Sequence, residues 1–314
     1  MLLLAVTSAH PSASQVPPVP IPSFAALARS GESAVLLDEQ GECLWAQRGP
    51  TPPRKLLCLA VDPGSRKLIS IARWRSEWLG ADGTERVRRF GPDGKQLGLI
   101  VAPVPVADIA ASRLRIWAHG LFESKDGTIL WHSDDGRSFQ PAPQVPRSPS
   151  RGGLSRLTEN QAVLSVTSEG DAVLAPLIGP PELYVVRPGK GTEVRRLAYV
   201  RSSRRDSLRT AGGGELPVGE LSAPVRDILP MANGELLVLR NREDRNDPGG
   251  RPVEEKGLRV DRYSPAGSLL ATAVLRETAR WVLHADDGGV LALSPKGHVL
   301  RARFGEPDPG RIVD

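Results

Sequence analysis

The sequence predicts an all-β chain assembled from repeated four-stranded antiparallel units. Three observations carry that prediction. First, a turn motif recurs. Arg86-Val87-Arg88-Arg89-Phe90-Gly91-Pro92-Asp93-Gly94 and Arg259-Val260-Asp261-Arg262-Tyr263-Ser264-Pro265-Ala266-Gly267 both read Arg-Val-x-Arg-aromatic-x-Pro-x-Gly, and each reaches a leucine three residues on (Leu97, Leu270). A weaker copy spans residues 290–297. Second, 32 glycines and 29 prolines are spread along all 314 residues, a distribution that short strands with frequent turns produce and long helices do not. Third, Asn-Gly and Asp-Gly pairs separate apolar runs such as Leu236-Leu237-Val238-Leu239. Such pairs supply the positive φ of two-residue hairpin turns. The runs suit strands buried on both faces.

The elements follow in chain order. Residues 10–22 are Pro-rich and read as an extended spacer. A first unit is expected from strands at 34–38 and 42–47, then 58–62 and 67–73, with an irregular loop at 74–84 and strands at 86–90 and 96–101. A second runs through 106–111, 114–122, 129–132 and 137–140. A third uses 162–167, a loop through Gly179-Pro180-Pro181, then 183–187 and 193–198. A polar insertion covers 201–220. The best-formed unit is 225–230, 235–240, a charged loop at 241–257, 258–263 and 269–275, and strands at 281–284, 290–293 and 299–304 close the chain. Four-stranded meanders repeating every roughly 40–55 residues are the signature of a β-propeller. Six blades are expected, with N- and C-terminal strands sharing a closing blade, and five is the runner-up. The domain expectation is a signal-like segment and linker at 1–22 followed by one propeller at 23–314.

Asn233-Gly234-Glu235-Leu236-Leu237-Val238-Leu239 followed by the 259–267 motif resembles a unit of the NHL-like six-bladed propellers. The resemblance extends over about residues 24–305 and implies the fold. It implies little about function, because this scaffold hosts many activities. Ser133-Asp134-Asp135-Gly136-Arg137-Ser138-Phe139 resembles the Asp-box of sialidase-like propellers, one residue short, and in that family the motif is a structural turn.

Hydrophobic content of 40% supports a packed core, and the formal net charge is +5. The basic excess is mostly Arg, interleaved with 36 acids. It reads either as a polyanion-binding surface or as a GC-rich coding bias, which raises Arg, Ala, Gly and Pro together. Two cysteines, Cys43 and Cys58, are too few for a disulfide framework or a zinc site. They form one bridge if the chain is exported, or else are small buried hydrophobes. Residues 1–9 read as the tail of a secretory signal, with small residues suited to cleavage after Ala9 and no basic segment before the apolar run. The expected location is therefore extracytoplasmic, periplasmic or secreted. No run reaches the ~20 apolar residues of a membrane span.

Four-stranded blades place their first-to-second and third-to-fourth turns on one face of the disc. The remaining connections lie on the other. Long segments at 74–84, 141–153, 201–220 and 241–257 are expected to gather there, and long loops on a rigid scaffold are the usual carriers of binding. Trp74, Arg75 and Trp78 would give that face a stacking surface, or else fold back to cap the disc. Arg204 and Arg205, in the cluster Arg201 to Arg209, and Arg242 are the basic candidates for carboxylates or phosphates, or else solvated loop residues.

Five histidines show no paired ligand spacing, and no nucleophile elbow, phosphate loop or His-Glu-x-x-His is present. The sequence thus points to a non-catalytic exported propeller that binds a protein or small-molecule ligand through its long-loop face. A monomer without cofactor or metal is expected, and nucleic acid is not the expected partner. One alternative is a metal-assisted hydrolase or lyase, with at least three Glu, Asp, Asn or His side chains meeting at the channel. A second is an RNA-binding NHL-type propeller with a continuous Arg surface and exposed aromatics.

Overall fold

The structure, a computed structural model, describes residues 21–30, 33–61, 64–145, 162–176, 182–197, 207–209, 215–217, 225–241, 245–246, 252–253, 258–286 and 288–307. Among these residues the chain is all strand and turn, without helix. Six antiparallel sheets follow one another along the chain. Blade 1 is β1 (Phe24–Ser30), β2 (Ser33–Asp38), β3 (Cys43–Arg48) and β4 (Arg54–Cys58). Blade 2 is β5 (Ser70–Trp74), β6 (Glu77–Ala81), β7 (Arg86–Phe90) and β8 (Gln96–Val101). Blade 3 is β9 (Val106–Ala111), β10 (Ile116–Gly120), β11 (Leu130–Ser133) and β12 (Gln140–Pro141). Blade 4 is β13 (Ala162–Val166), β14 (Ala172–Pro176), β15 (Glu182–Arg187) and β16 (Gly191–Arg196).

A two-stranded ribbon, β17 (Ser207–Arg209) and β18 (Glu215–Pro217), interrupts the connection to blade 5. Blade 5 is β19 (Val225–Pro230), β20 (Leu236–Asn241), β23 (Leu258–Tyr263) and β24 (Leu269–Leu275), with a second ribbon, β21 (Arg245–Asn246) and β22 (Pro252–Val253), between β20 and β23. Blade 6 has three strands, β25 (Trp281–Ala285), β26 (Gly289–Leu293) and β27 (Val299–Arg303). The first strands of blades 1 to 6 pack side by side in succession, and Arg29 of β1 donates to the Val282 carbonyl of β25, so these six strands ring a central channel.

Alternation of side chains along the middle strands explains why their apolar runs are continuous. Leu237 and Leu239 of β20 pack toward blade 6, and Leu236 and Val238 pack back toward blade 4. Each interface between consecutive blades holds one buried cluster of this kind. The sixth cluster, Phe24, Leu36, Trp45, Trp281 and Leu293, joins blade 6 to blade 1. That cluster closes the ring, helped by the Phe24 amide donating to the Pro295 carbonyl at 2.8 Å. The expected shared blade is therefore corrected. All four strands of blade 1 come from one continuous stretch, and blade 6 stays three-stranded among the described residues.

Two further expectations change. The first unit is out of phase: β1 precedes it, and residues 77–81 form β6 rather than loop. The expected strands of blade 4 also lacked β14, which the structure adds. The weak motif copy at 290–297 occupies a different place, since it spans the second-to-third turn of its blade.

The two strong copies do share one position, the third strand and outer turn. In both, the motif's second arginine reaches back to an acid at the start of the second strand. Arg89 pairs with Glu77 through two bonds of 2.7 and 2.8 Å, and Arg262 with Glu235 at 2.6 Å. Arg187 and Asp171 form the matching pair in blade 4 at 2.9 Å. The motif's glycines sit at φ of +83° (Gly94) and +89° (Gly267). A β-carbon there would stand 2.5 Å from the carbonyl oxygen of Cys58 or Arg196, on the outer edge of the preceding blade. The motif is thus a spacer between blades.

Cys43 and Cys58 face each other across β3 and β4 and are joined as a disulfide. Under denaturing, non-reducing conditions a thiol-alkylating reagent is expected to leave the protein unmodified. Modification at both positions would show that the bridge does not form.

Candidate functional site in the central channel

Alternating strand direction puts the outer motif turns at 91–95 and 264–268 on one face of the disc. The connections at 142–161, 197–224 and 242–257 leave from the opposite face. The flanking strands send three of the four expected long segments from that face, and the fourth, 74–84, does not join them, because residues 77–81 form β6. The aromatic candidates are placed differently from that prediction. Trp74 and Arg75 belong to the tight β5–β6 hairpin, on the face with the short turns. Trp74 is buried between blades 2 and 3, against Gly136 of the Asp-box turn. Arg75, at φ +57°, stacks its guanidinium on the Trp74 ring at 4.2 Å. Trp78 is buried between blades 1 and 2. Arg204, Arg205 and Arg242 lie outside the described residues. The Asp-box is a turn held by its own side chains: Ser133 Oγ donates to Asp135, and Asp135 accepts from the amide of Arg137 at 2.8 Å.

The structure gathers a different set of residues. The inner strands enclose a cavity of about 610 Å³, a size that admits a small ligand. Its charged lining is Arg29, Arg73, Arg226 and Arg280 against Asp108 and Asp227, with His119 and Ser70 alongside.

Both aspartates tie neighbouring inner strands together. Asp227 on β19 accepts from the Val282 amide on β25 at 2.7 Å and from the Arg29 guanidinium on β1. Arg29 in turn donates to the Val282 carbonyl at 3.0 Å. Asp108 on β9 accepts from Ser70 Oγ on β5 at 2.6 Å and bonds the main chain of Leu164 on β13. Two carboxylates thus stitch blades 2, 3 and 4, and blades 5, 6 and 1. Their sequence contexts match: Val106-Ala107-Asp108-Ile109 and Val225-Arg226-Asp227-Ile228 both begin an inner strand. That Val-x-Asp-Ile recurrence was the available sequence signal for the channel.

Protein atoms surround Asp108 even though it opens onto the cavity, and this desolvation pushes its pKa up to about 6 against the hydrogen bonds that lower it. Burial likewise raises Asp227, opposed by the Arg29 charge. A folded protein that holds a proton more tightly than its unfolded chain loses stability as pH rises. For Asp108 the loss runs from the ordinary 3.8 up through about 6 and levels off above. Asp108→Asn is therefore expected to gain stability relative to wild type between about pH 4 and about pH 7, with little further change above, measured by denaturant unfolding. An equal pH response in the two proteins would show that Asp108 titrates normally.

Asp108, Asp227 and His119 all line the cavity. Among the described residues no three His, Cys, Asp or Glu side chains are grouped to hold a metal ion. The described channel lining offers arginine donors and strand-bound carboxylates.

No protein-family profile matches the chain, and no curated protein sequence matches it. Solved structures do. A gluconolactonase from Xanthomonas campestris superposes with a TM-score of 0.53 at 12% identity, covering 91% of this chain and 88% of that one. The U3-55K protein gives 0.51 at 11% identity over 90% and 95% of the two chains. A chain of the mitotic checkpoint complex gives 0.50 at 12% identity over 96% and 98%. At these identities the likeness is one of fold, the β-propeller, which in this chain has six blades. No helix among the described residues is long and apolar enough to cross a membrane.

Proposed function

We propose that this protein is a non-catalytic, exported propeller that binds a protein partner through the face bearing its long connections. The observation that carries this reading is the inequality of the two faces. One is closed by short glycine turns packed against neighbouring blades, and from the other leave the connections at 142–161, 197–224 and 242–257. A rigid disc presenting long segments on one side is a binding scaffold. The channel carboxylates support the non-catalytic part, because each is engaged in holding inner strands together.

Export is supported by the Cys43–Cys58 bridge, since disulfides persist in oxidising compartments. The signal-like residues 1–9 agree with it. Protein recovered from outside the cytoplasm is expected to begin just after Ala9. Recovery solely in the cytoplasm with Met1 retained would defeat the export reading.

The binding reading is tested by replacing 199–222 and, separately, 243–256 with short Gly-Ser links. Each variant should fold with near-normal unfolding behaviour, and at least one should lose the partner that the intact protein retains on cross-linking in its own cells. Retention of every partner by both variants would remove the proposal.

A further inference from the structure

The chain leaves blade 6 at the end of β27 and runs on to blade 5, where the Gly305 amide donates to the Thr272 carbonyl of β24 at 2.9 Å. β27 is therefore the outermost described strand of its sheet. The hydrogen bonds at its two ends fix which of its main-chain groups face outward. The Ser294 amide donates to the His298 carbonyl at 2.9 Å, and the Phe304 amide to the Gly288 carbonyl at 3.4 Å. Bonded pairs alternate along an antiparallel ladder. Leu300 and Ala302 thus bond β26, and the amides and carbonyls of Val299, Arg301 and Arg303 point away from it.

Side-chain alternation gives these same three residues one side of the sheet. Leu300, Ala302 and Phe304 pack toward blade 5, and Val299 packs on the cluster that joins blade 6 to blade 1. Arg301 and Arg303 follow Val299 onto the blade 1 side, where both are exposed. Across this seam stands β4. Its Lys55, also exposed, lies directly opposite Trp45 on β3 and so shares the side that Trp45 turns to blade 6. Neither β4, Arg-Lys-Leu-Leu-Cys, nor β27, Val-Leu-Arg-Ala-Arg, contains an acid. Among the described residues no ion pair engages Lys55, Arg301 or Arg303. The outer strand of blade 4 differs, since its Arg195 pairs with Glu193 and its Arg196 with Glu182.

Outward ladder groups and uncompensated cations on the same residues define the chemistry of a partner. A strand added beside β27 would set two of its own residues directly opposite Arg301 and Arg303, about 7 Å apart. Carboxylates at those positions would accept charge-assisted hydrogen bonds from the guanidinium groups. A second copy of β27 would bring arginines against arginines, which their like charge opposes. We infer that the outer edge of blade 6 is an interaction surface for an extended acidic segment of a partner protein, which adds to the sheet with carboxylates at alternate positions. This surface lies on the rim of the disc rather than on either face, so the inference goes beyond the protein-binding proposal.

The test is fluorescence anisotropy, titrating the full chain into a labelled, capped Val-Glu-Val-Glu-Val-Glu-Val peptide at low ionic strength. Saturable binding with half-saturation below about 1 mM is expected. The double variant Arg301→Glu, Arg303→Glu should weaken it by at least about tenfold. Arg113→Glu, on an exposed turn of blade 3, should leave it unchanged. A peptide with its Glu amides N-methylated keeps the charges and loses the ladder, and it too should bind at least about tenfold more weakly. Circular dichroism of the double variant separates loss of binding from loss of fold. Equal binding by the methylated peptide would reduce the edge to a charged patch and overturn the inference. Absence of saturation, or equal binding by the folded double variant, would do the same. Three results would assign the edge to another occupant and also overturn it: tighter binding of an oligothymidylate of equal charge, peptide binding that appears only when residues 308–314 are deleted, and sedimentation of the free chain as a dimer that the peptide dissociates.

Discussion

Asp261→Ala is expected to destabilise the protein by about 3–5 kcal/mol, the range for removing one member of a buried, hydrogen-bonded charge group. Asp261 is fully buried in β23 at the variable position of the recurring motif. Its Oδ2 accepts from Arg240 Nε at 2.7 Å and from the Tyr263 hydroxyl at 3.3 Å. Its Oδ1 accepts from Arg259 Nε at 2.8 Å and Thr272 Oγ1 at 3.0 Å. Arg240 and Arg259 lie directly opposite each other on adjacent strands, so the carboxylate also separates two like charges. Alanine would leave both buried guanidinium groups without the anion they share. Asp261→Asn should be milder, because the amide oxygen still accepts, but the charge is lost. Denaturant unfolding of the two variants checks this. A cost for alanine below about 1 kcal/mol would show that the cluster is dispensable. In blade 2 the same motif position holds the opposite charge, Arg88, which is buried and paired with Asp82 at 3.0 Å. The position demands an internally paired charge rather than a particular residue.

Gly267→Ala is the second large effect, expected at about 2–5 kcal/mol, because two costs combine. The φ of +89° is one that L side chains rarely adopt, at about 1–2 kcal/mol. The new methyl would also lie 2.5 Å from the Arg196 carbonyl oxygen, a main-chain atom in the neighbouring blade that cannot swing aside. Overpacking of that kind adds about 1–3 kcal/mol. Gly189 is the control, since it is also at positive φ but has nothing within 4 Å of where a β-carbon would stand. Gly189→Ala should cost distinctly less, because it meets the backbone cost alone. Equal losses at the two sites, read from unfolding midpoints, would refute the close-approach explanation.

The fold was legible because propeller physics writes itself locally. Middle strands buried on both faces produce runs such as Leu236 to Leu239, and the intervening turns demand glycine after Asn or Asp. The errors have equally local causes. β1, Phe-Ala-Ala-Leu-Ala-Arg-Ser, is alanine-rich because inner strands converge on the channel, and alanine signals strand weakly. β6 carries Gly80 mid-strand, which looks like loop. The structure needs glycine there because the Leu68 side chain lies 2.7 Å from where a β-carbon would stand. Missing β6 turned the Trp74–Glu77 hairpin into a long loop and moved two core tryptophans to the binding face. The channel was legible only in part. Asp108 and Asp227 share a recurring context. Arg226, in β19, and Arg280, just before β25, reach the same cavity from different blades, and no short-range pattern encodes that meeting.

The central claim is that the two faces of the disc have different jobs, and one cross-linking measurement tests it directly. A photo-reactive residue is placed at Lys95 or Lys190, exposed in turns on the short-turn face, or at Arg204 or Arg242 in the long connections. The four proteins are irradiated in the cells that make them, and adducts are resolved by mass. Discrete protein adducts from Arg204 or Arg242, with none from Lys95 or Lys190, are the predicted result. Adducts from the short-turn face alone, or equally from both faces, would contradict the account.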